Sequence, residues 1–172
     1  KVFLRNEYGD SYEDLLYDVE NVLDLSREEF LSRGLTEEEL GSWNFVLEEK
    51  NKKWIGKNVN KKIGFTFQID KDFMKNVETK KCDKGLFLEN GDVYLVELKG
   101  VDFNTACKQL IVTLNYCKEN LGKYNYFCRV VARELPSQNN YPASHRQLLH
   151  ILPKDKKKKY FDAKSNVLEE DI

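Results

Sequence analysis

Three residues in the middle of the chain have the types and the spacing that chemistry needs. Asp83 lies in Lys81-Cys82-Asp83-Lys84-Gly85, and Glu97 and Lys99 close the run Val93-Tyr94-Leu95-Val96-Glu97-Leu98-Lys99-Gly100. Side chains two apart on a strand point to the same face, so Glu97 and Lys99 project together on the side that carries Val93 and Leu95. A carboxylate and an ammonium ending an apolar strand are expensive to bury unless they and a metal satisfy one another. In an antiparallel pair, opposed residue numbers sum to a constant. If that constant is 180, Asp83 faces Glu97 on the same side of the sheet, with Cβ atoms roughly 5 Å apart. A strict two-residue Asn90-Gly91 loop gives 181 and turns Asp83 to the wrong face. Convergence therefore predicts a three-residue loop or a bulge before the site. Two carboxylates this close repel, so one holds a proton or a cation bridges them. Oxygen ligands with a neighbouring water suit Mg²⁺ or Mn²⁺. The lysine beside them can orient or deprotonate an attacking water, or stabilise developing negative charge. This is the minimal equipment for metal-assisted hydrolysis of a phosphodiester.

The elements that must position these residues follow from periodicity. Ile63, Phe65, Phe67 and Ile69 alternate with polar or small residues and predict a strand; further strands are expected over about 79–89 and 92–99. Glu89-Asn90-Gly91-Asp92 between the last two contains Asn-Gly, the strongest short hairpin signal. Ala106, Leu110, Leu114 and Cys117 then form one helical stripe with Cys107, Ile111 and Leu121 beside it; Asp102 or Asn104 would cap that helix and Leu121-Gly122 would end it. Residues 124–132 read as a buried strand that Pro136 bars from running further, followed by a helix near 143–151 and an edge strand near 159–163. Upstream, apolar faces predict helices over 12–23 and 26–33. The capping box Thr36-Glu37-Glu38-Glu39 opens a helix from about 37 to 53 with the stripe Leu40, Trp43, Leu47 and Trp54. The whole is an α/β chain with a mixed central β-sheet flanked by helices.

Composition narrows the classes further. A chain of 172 residues with 41% apolar and 33% charged residues builds one core under a heavily charged surface. The longest apolar runs are too short to span a bilayer, and the N-terminus shows no signal peptide, so no membrane partner is expected; the opening Lys1 suggests trimming. Four cysteines without a CxxC pair, far in sequence from His145 and His150, read as free core thiols in a reducing, cytoplasmic setting rather than zinc ligands. Residues 1–50 hold 5 basic against 14 acidic residues, whereas 51–172 hold 23 against 15. The basic part could meet phosphates, guided by Lys80, Lys81, Lys84 and the tract 154–159. Tyr124, Tyr126 and Phe127 could stack bases, although a buried central strand explains two of the three more simply.

Asp83, thirteen intervening residues, then Glu97-Leu98-Lys99 at a strand end with a helix behind resembles the PD-(D/E)xK nuclease superfamily, over about residues 60–135. The resemblance implies a restriction-endonuclease-like nuclease core, 58–172; the acidic α-helical N-terminal extension before it, 1–57, is expected to pack on the core as a cap or to serve as a dimer surface. It implies that Asp83, Glu97 and the Leu98 carbonyl bind Mg²⁺ or Mn²⁺, with Lys99 on the nucleophile side. It also implies hydrolysis of nucleic acid, DNA before RNA and endonuclease before exonuclease. Gln109 stands where some members carry a glutamine, but the tyrosine that completes their QxxxY motif is Thr113 here, and the proline before the aspartate is Cys82. A glutamate on an early helix often assists in that family, which nominates Glu13 or Glu48, each of which reads equally as a solvated helix charge. The near-zero net charge points to a homodimer or a partner protein for tight binding. The alternative is an inactive nucleic-acid-binding module or a protein-interaction adaptor on the same fold, against which the intact Asp83, Glu97 and Lys99 argue.

Overall fold

A computed structural model of the chain describes residues 44–172 except 63, 71–73, 75–77, 122–123 and 155–156. The helices expected over 12–23 and 26–33, the start of the one expected from 37, and Glu13 lie outside the described residues. The first described elements are β1 (Phe45–Glu49) and β2 (Lys52–Lys57), an antiparallel hairpin. This corrects the helix expected to run to 53. Leu47 and Trp54 are seven residues apart, which suits two helical turns. They are also direct partners across a turn in which Lys50 and Asn51 both adopt positive φ, 44° and 66°, as a two-residue hairpin loop of the I′ type requires.

The next strands are β3 (Gly64–Gln68), β4 (Lys84–Leu88) and β5 (Asp92–Lys99), an antiparallel meander. Helix α1 (Phe103–Asn120) crosses to β6 (Asn125–Ala132), which lies parallel to β5. Asp102 caps α1 by accepting from the Thr105 amide at 2.9 Å, and Leu121 closes it. Helix α2 (Ala143–Ile151) packs on α1, with the Ser144 hydroxyl 2.7 Å from Asn104 Oδ1. A single helical turn, Lys157–Tyr160, leads into β7 (Phe161–Ser165), parallel to β6. Then β8 (Val167–Asp171) pairs in parallel with β2. The sequence pattern gives no sign of β8.

Among the described residues the result is a mixed α/β architecture with two sheets. The five-stranded sheet has the order β3-β4-β5-β6-β7, and β1-β2-β8 form a three-stranded one. One face of the larger sheet packs under α1 and α2 through Phe87, Val93, Leu95, Leu110, Leu114, Val130 and Leu148. The other face carries Leu86, Tyr94, Val96, Phe127 and Val131, packed against Leu47, Trp54 and Leu168. Among the described residues, then, helices cover one face and a small sheet covers the other. All four cysteines are buried and free, and burial pushes their thiols up, that of Cys82 well above the ordinary value. They are core residues rather than thiolate ligands. No described helix is long and apolar enough to cross a membrane.

Candidate active site

Strand β5 places the glutamate and the lysine. Its residues alternate between the two cores, with Val93 and Leu95 under α1 and Tyr94, Val96 and Leu98 on the other side. Glu97 and Lys99 continue the α1 side. Register then decides where Asp83 falls. Lys84 opposes Val96 and Phe87 opposes Val93, so the opposed numbers sum to 180. Glu89, Asn90 and Gly91 form the three-residue loop that this register needs. Gly91 N–H donates to the Leu88 carbonyl at 2.9 Å, and Gly91 takes φ +80°. That is a backbone region open to glycine at little cost. Register beyond the ladder's end sets Asp83 opposite Glu97.

Asp83 itself lies one residue outside β4 and is anchored by hydrogen bonds instead. Its Oδ2 accepts from the Leu98 amide at 2.8 Å, and its carbonyl accepts from the Ile69 amide at 3.0 Å. Gly85, two residues on, leaves room for the Phe67 ring, with which a Cβ would collide. Burial raises the Asp83 carboxyl above its ordinary value, with the charges of Glu49 and Asp70 adding to the rise. The Leu98 amide and Lys99 oppose it.

Glu97 is the unusual group. It is 0% exposed, and neither carboxyl oxygen has a hydrogen-bond partner. Burial first, and the Asp83 charge second, push its carboxyl up to about 8, against the opposing pull of the Lys99 ammonium and, more weakly, of the Asp83 backbone. Lys99 Nζ lies 3.4 Å from Glu97 Oε1, close enough for an ion pair but without a hydrogen bond. The lysine's close hydrogen bond goes elsewhere, to Gln109 Oε1 at 2.7 Å. Gln109 Nε2 in turn donates to the Lys81 carbonyl at 2.6 Å. Gln109 therefore does reach the group, joining the lysine to the chain segment that precedes Asp83.

Orphaned carboxyl oxygens inside a protein are costly, and a divalent cation is a group that would satisfy them. The donor set fits a hard oxygen-seeking ion: two carboxylates, with the Leu98 carbonyl available as a third oxygen. Among the described residues, no three His, Cys, Asp or Glu side chains gather closely enough to hold a metal by themselves. An ion here would keep several waters, as Mg²⁺ does readily.

The remaining candidates separate. Glu48 is not on a helix but on β1, exposed and paired with Lys53 at 3.1 Å, so it does not join the site. Its neighbour Glu49 points the other way along the alternating strand, and its charge reaches Asp83. A helical reading of this segment hides that difference. Lys81 Nζ is tied back to the Met74 carbonyl at 2.7 Å. Lys154 lines a cavity of about 260 Å³ with Lys118, Asn125 and Tyr126, at the start of β6. The site lies at the far end of the neighbouring parallel strand β5, on the order of 20 Å away along the strands. Lys159, at the other end of the tract 154–159, lies over the Phe127 ring on the opposite face of the sheet, so neither described end of the tract shares the site's mouth. Arg133 follows β6 at the site's end of β5: its amide donates to the carbonyls of Lys99 and Gly100, and its side chain is 74% exposed, with Nε 3.7 Å from Glu134 Oε1. Lys108, on the first turns of α1, is exposed, and its charge, like that of Lys99, acts on Asp102. Sequence reasoning missed both because neither belongs to a basic run.

Comparison of the chain with family models, with curated proteins and with solved structures yields no match. The chemistry of the site must therefore be argued from its own geometry.

Proposed function

We propose that the chain is a metal-dependent nuclease of the PD-(D/E)xK kind, hydrolysing phosphodiester bonds of nucleic acid, DNA in preference to RNA and internally rather than from ends. The observation that carries the reading is Glu97: fully buried, with both oxygens unsatisfied, across the hairpin from Asp83 and beside Lys99. A structural carboxylate in that position would be expected to have hydrogen-bond donors. The order β3, β4, β5, α1, β6, with β5 and β6 parallel, supports a restriction-endonuclease-like core.

Asp83, Glu97 and the Leu98 carbonyl would hold Mg²⁺ or Mn²⁺. When bound, such an ion supplies an acidified water and neutralises charge on the scissile phosphate. Lys99 is held by Gln109 with its ammonium beside Glu97, on the nucleophile side, where it stabilises negative charge that develops on the phosphate oxygens. Arg133 and Lys108 offer exposed cations for flanking phosphates.

The test incubates the protein with plasmid DNA, single-stranded DNA and RNA, with Mg²⁺, with Mn²⁺ or with chelator, beside Lys99→Ala. Metal-dependent cutting that disappears in the variant is the expected result. Binding without cutting in every metal would instead identify an inactive nucleic-acid-binding module. Neither binding nor cutting would point to a protein-interaction adaptor.

A further inference from the structure

We propose that Thr113 is a positioning residue for Asp83, fixing the backbone one residue ahead of it so that the carboxylate meets strand β5. The position is the one at which the tyrosine of the resembled motif is missing, and the Thr113 hydroxyl there bonds the Cys82 amide and the Gln109 carbonyl.

The need for such a residue comes from where β4 begins. The ladder with β5 starts at Lys84, so residues 81–83 have no strand partner to set their path. They are held by individual bonds, two of them from α1. Thr113 Oγ1 accepts from the Cys82 amide at 3.0 Å and donates to the Gln109 carbonyl, one turn earlier, at 3.0 Å. Gln109 Nε2 holds the Lys81 carbonyl at 2.6 Å. Residues 109 and 113 share a helix face because they are four apart. One face of α1 therefore grips two consecutive residues before Asp83. Thr113 and Cys82 are both 0% exposed, so no bulk water can replace the hydroxyl as the acceptor for the Cys82 amide. Loss of the hydroxyl leaves a buried N–H unpaired, a penalty that the loop can relieve by moving. Moving it displaces Asp83 and breaks the bond from the Leu98 amide to Asp83 Oδ2.

That last bond supplies a readout independent of catalysis. The Leu98 amide belongs to β5 but is bonded to a carboxylate fifteen residues away, so its hydrogen exchange reports where Asp83 sits. The inference rests on Asp83 being a site residue, and exchange is measured without metal so that the two ideas can fail separately. The experiment compares ¹⁵N-labelled wild type, Thr113→Val and Thr113→Ser. Valine has nearly the same shape without the hydroxyl, and serine keeps it. Expected is exchange at Leu98 about tenfold or more faster in Thr113→Val, with Leu95 and Val130 unchanged and with Thr113→Ser close to wild type. Mn²⁺ affinity, measured by calorimetry with the metal alone, is expected to fall in the valine variant by about tenfold and to recover in the serine variant. If Thr113→Val does not fold, Thr113→Ala is read in the same way. Unchanged Leu98 exchange in the hydroxyl-free variant, or a serine variant that behaves like valine, overturns the proposal. A wild-type protein that cuts nothing overturns the nuclease reading, and the exchange comparison then decides the role of Thr113.

Discussion

Arg129 and Glu97 are buried charged residues one register step apart on neighbouring strands, on opposite faces of the same sheet. They are treated in opposite ways. Arg129 is 3% exposed, and its hydrogen bonds are well supplied. Its Nε and Nη2 each reach a Glu170 carboxyl oxygen at 2.6 Å, and Nη1 and Nη2 reach the carbonyls of Cys128 and Lys159 at 3.0 Å. Its guanidinium lies over the Tyr94 and Phe127 rings, and Trp54 Nε1 donates to Glu170 at 2.7 Å. This cluster joins the small sheet to the large one. Glu97 receives no hydrogen bond. A buried charge with every partner supplied is part of the scaffold, whereas a buried carboxyl beside a lysine but without a hydrogen bond is a cost that the proposed ion binding would offset.

The contrast can be broken from either side. Arg129→Met takes the guanidinium away from Glu170, which keeps its bond from Trp54 Nε1, and is expected to destabilise the fold by about 3–5 kcal/mol in urea unfolding. Cleavage per folded molecule should survive. Lys99→Ala should do the reverse, lowering metal-dependent turnover by about 10²–10³-fold with an unchanged unfolding midpoint. If Arg129→Met abolishes turnover in the folded protein, or Lys99→Ala unfolds it, the division between scaffold and site is wrong.

A pH series sharpens the same point. The Glu97 carboxyl titrates near 8 when folded, against an ordinary value of 4.5. The folded protein therefore holds a proton that the unfolded chain releases, and stability falls as pH rises from about 4.5 through about 8, at up to roughly 1.4 kcal/mol per pH unit. Urea unfolding in chelator at pH 6 and pH 9 measures the loss. Glu97→Gln should flatten it, and Mg²⁺ should offset it at pH 9 in wild type only. A pH-independent wild type would mean that Glu97 is not the bare carboxyl described. Binding of the metal must displace that proton, so its affinity should weaken by up to about tenfold per pH unit below 8, as calorimetry would show. The smallest effect belongs to Glu48→Gln, which breaks an exposed ion pair and should change stability by less than about 0.5 kcal/mol and turnover not at all.

The convergence of Asp83, Glu97 and Lys99 could be read in the sequence because it follows from rules of period and count. Glu97 and Lys99 share a face because strand residues alternate, and a three-residue loop was required for Asp83 to meet them. Strand β5 and the Asp102 cap were legible because local patterns specify them. Residues 45–57 were not, because Leu47 and Trp54 satisfy a helix and a hairpin equally. What selects the hairpin is a partner strand more than a hundred residues later. The expected strand from 79 begins only at 84 because the residues before it turn to α1 for their bonds. Thr113 stands in the sequence as a gap in a motif, since a hydroxyl's partner in a distant loop leaves no trace in periodicity.

The pairing of β2 with β8 also orders events during synthesis. The segment from 81 to 113 contains both arms of the site and the helix that braces them, so its contacts can form while translation continues. The β1–β2 ribbon must wait for residues 167–171 to leave the ribosome before its open edge is covered. Until then a growing chain would hold its chemistry nearly assembled beside an exposed strand edge, the stage at which a chaperone has most to protect.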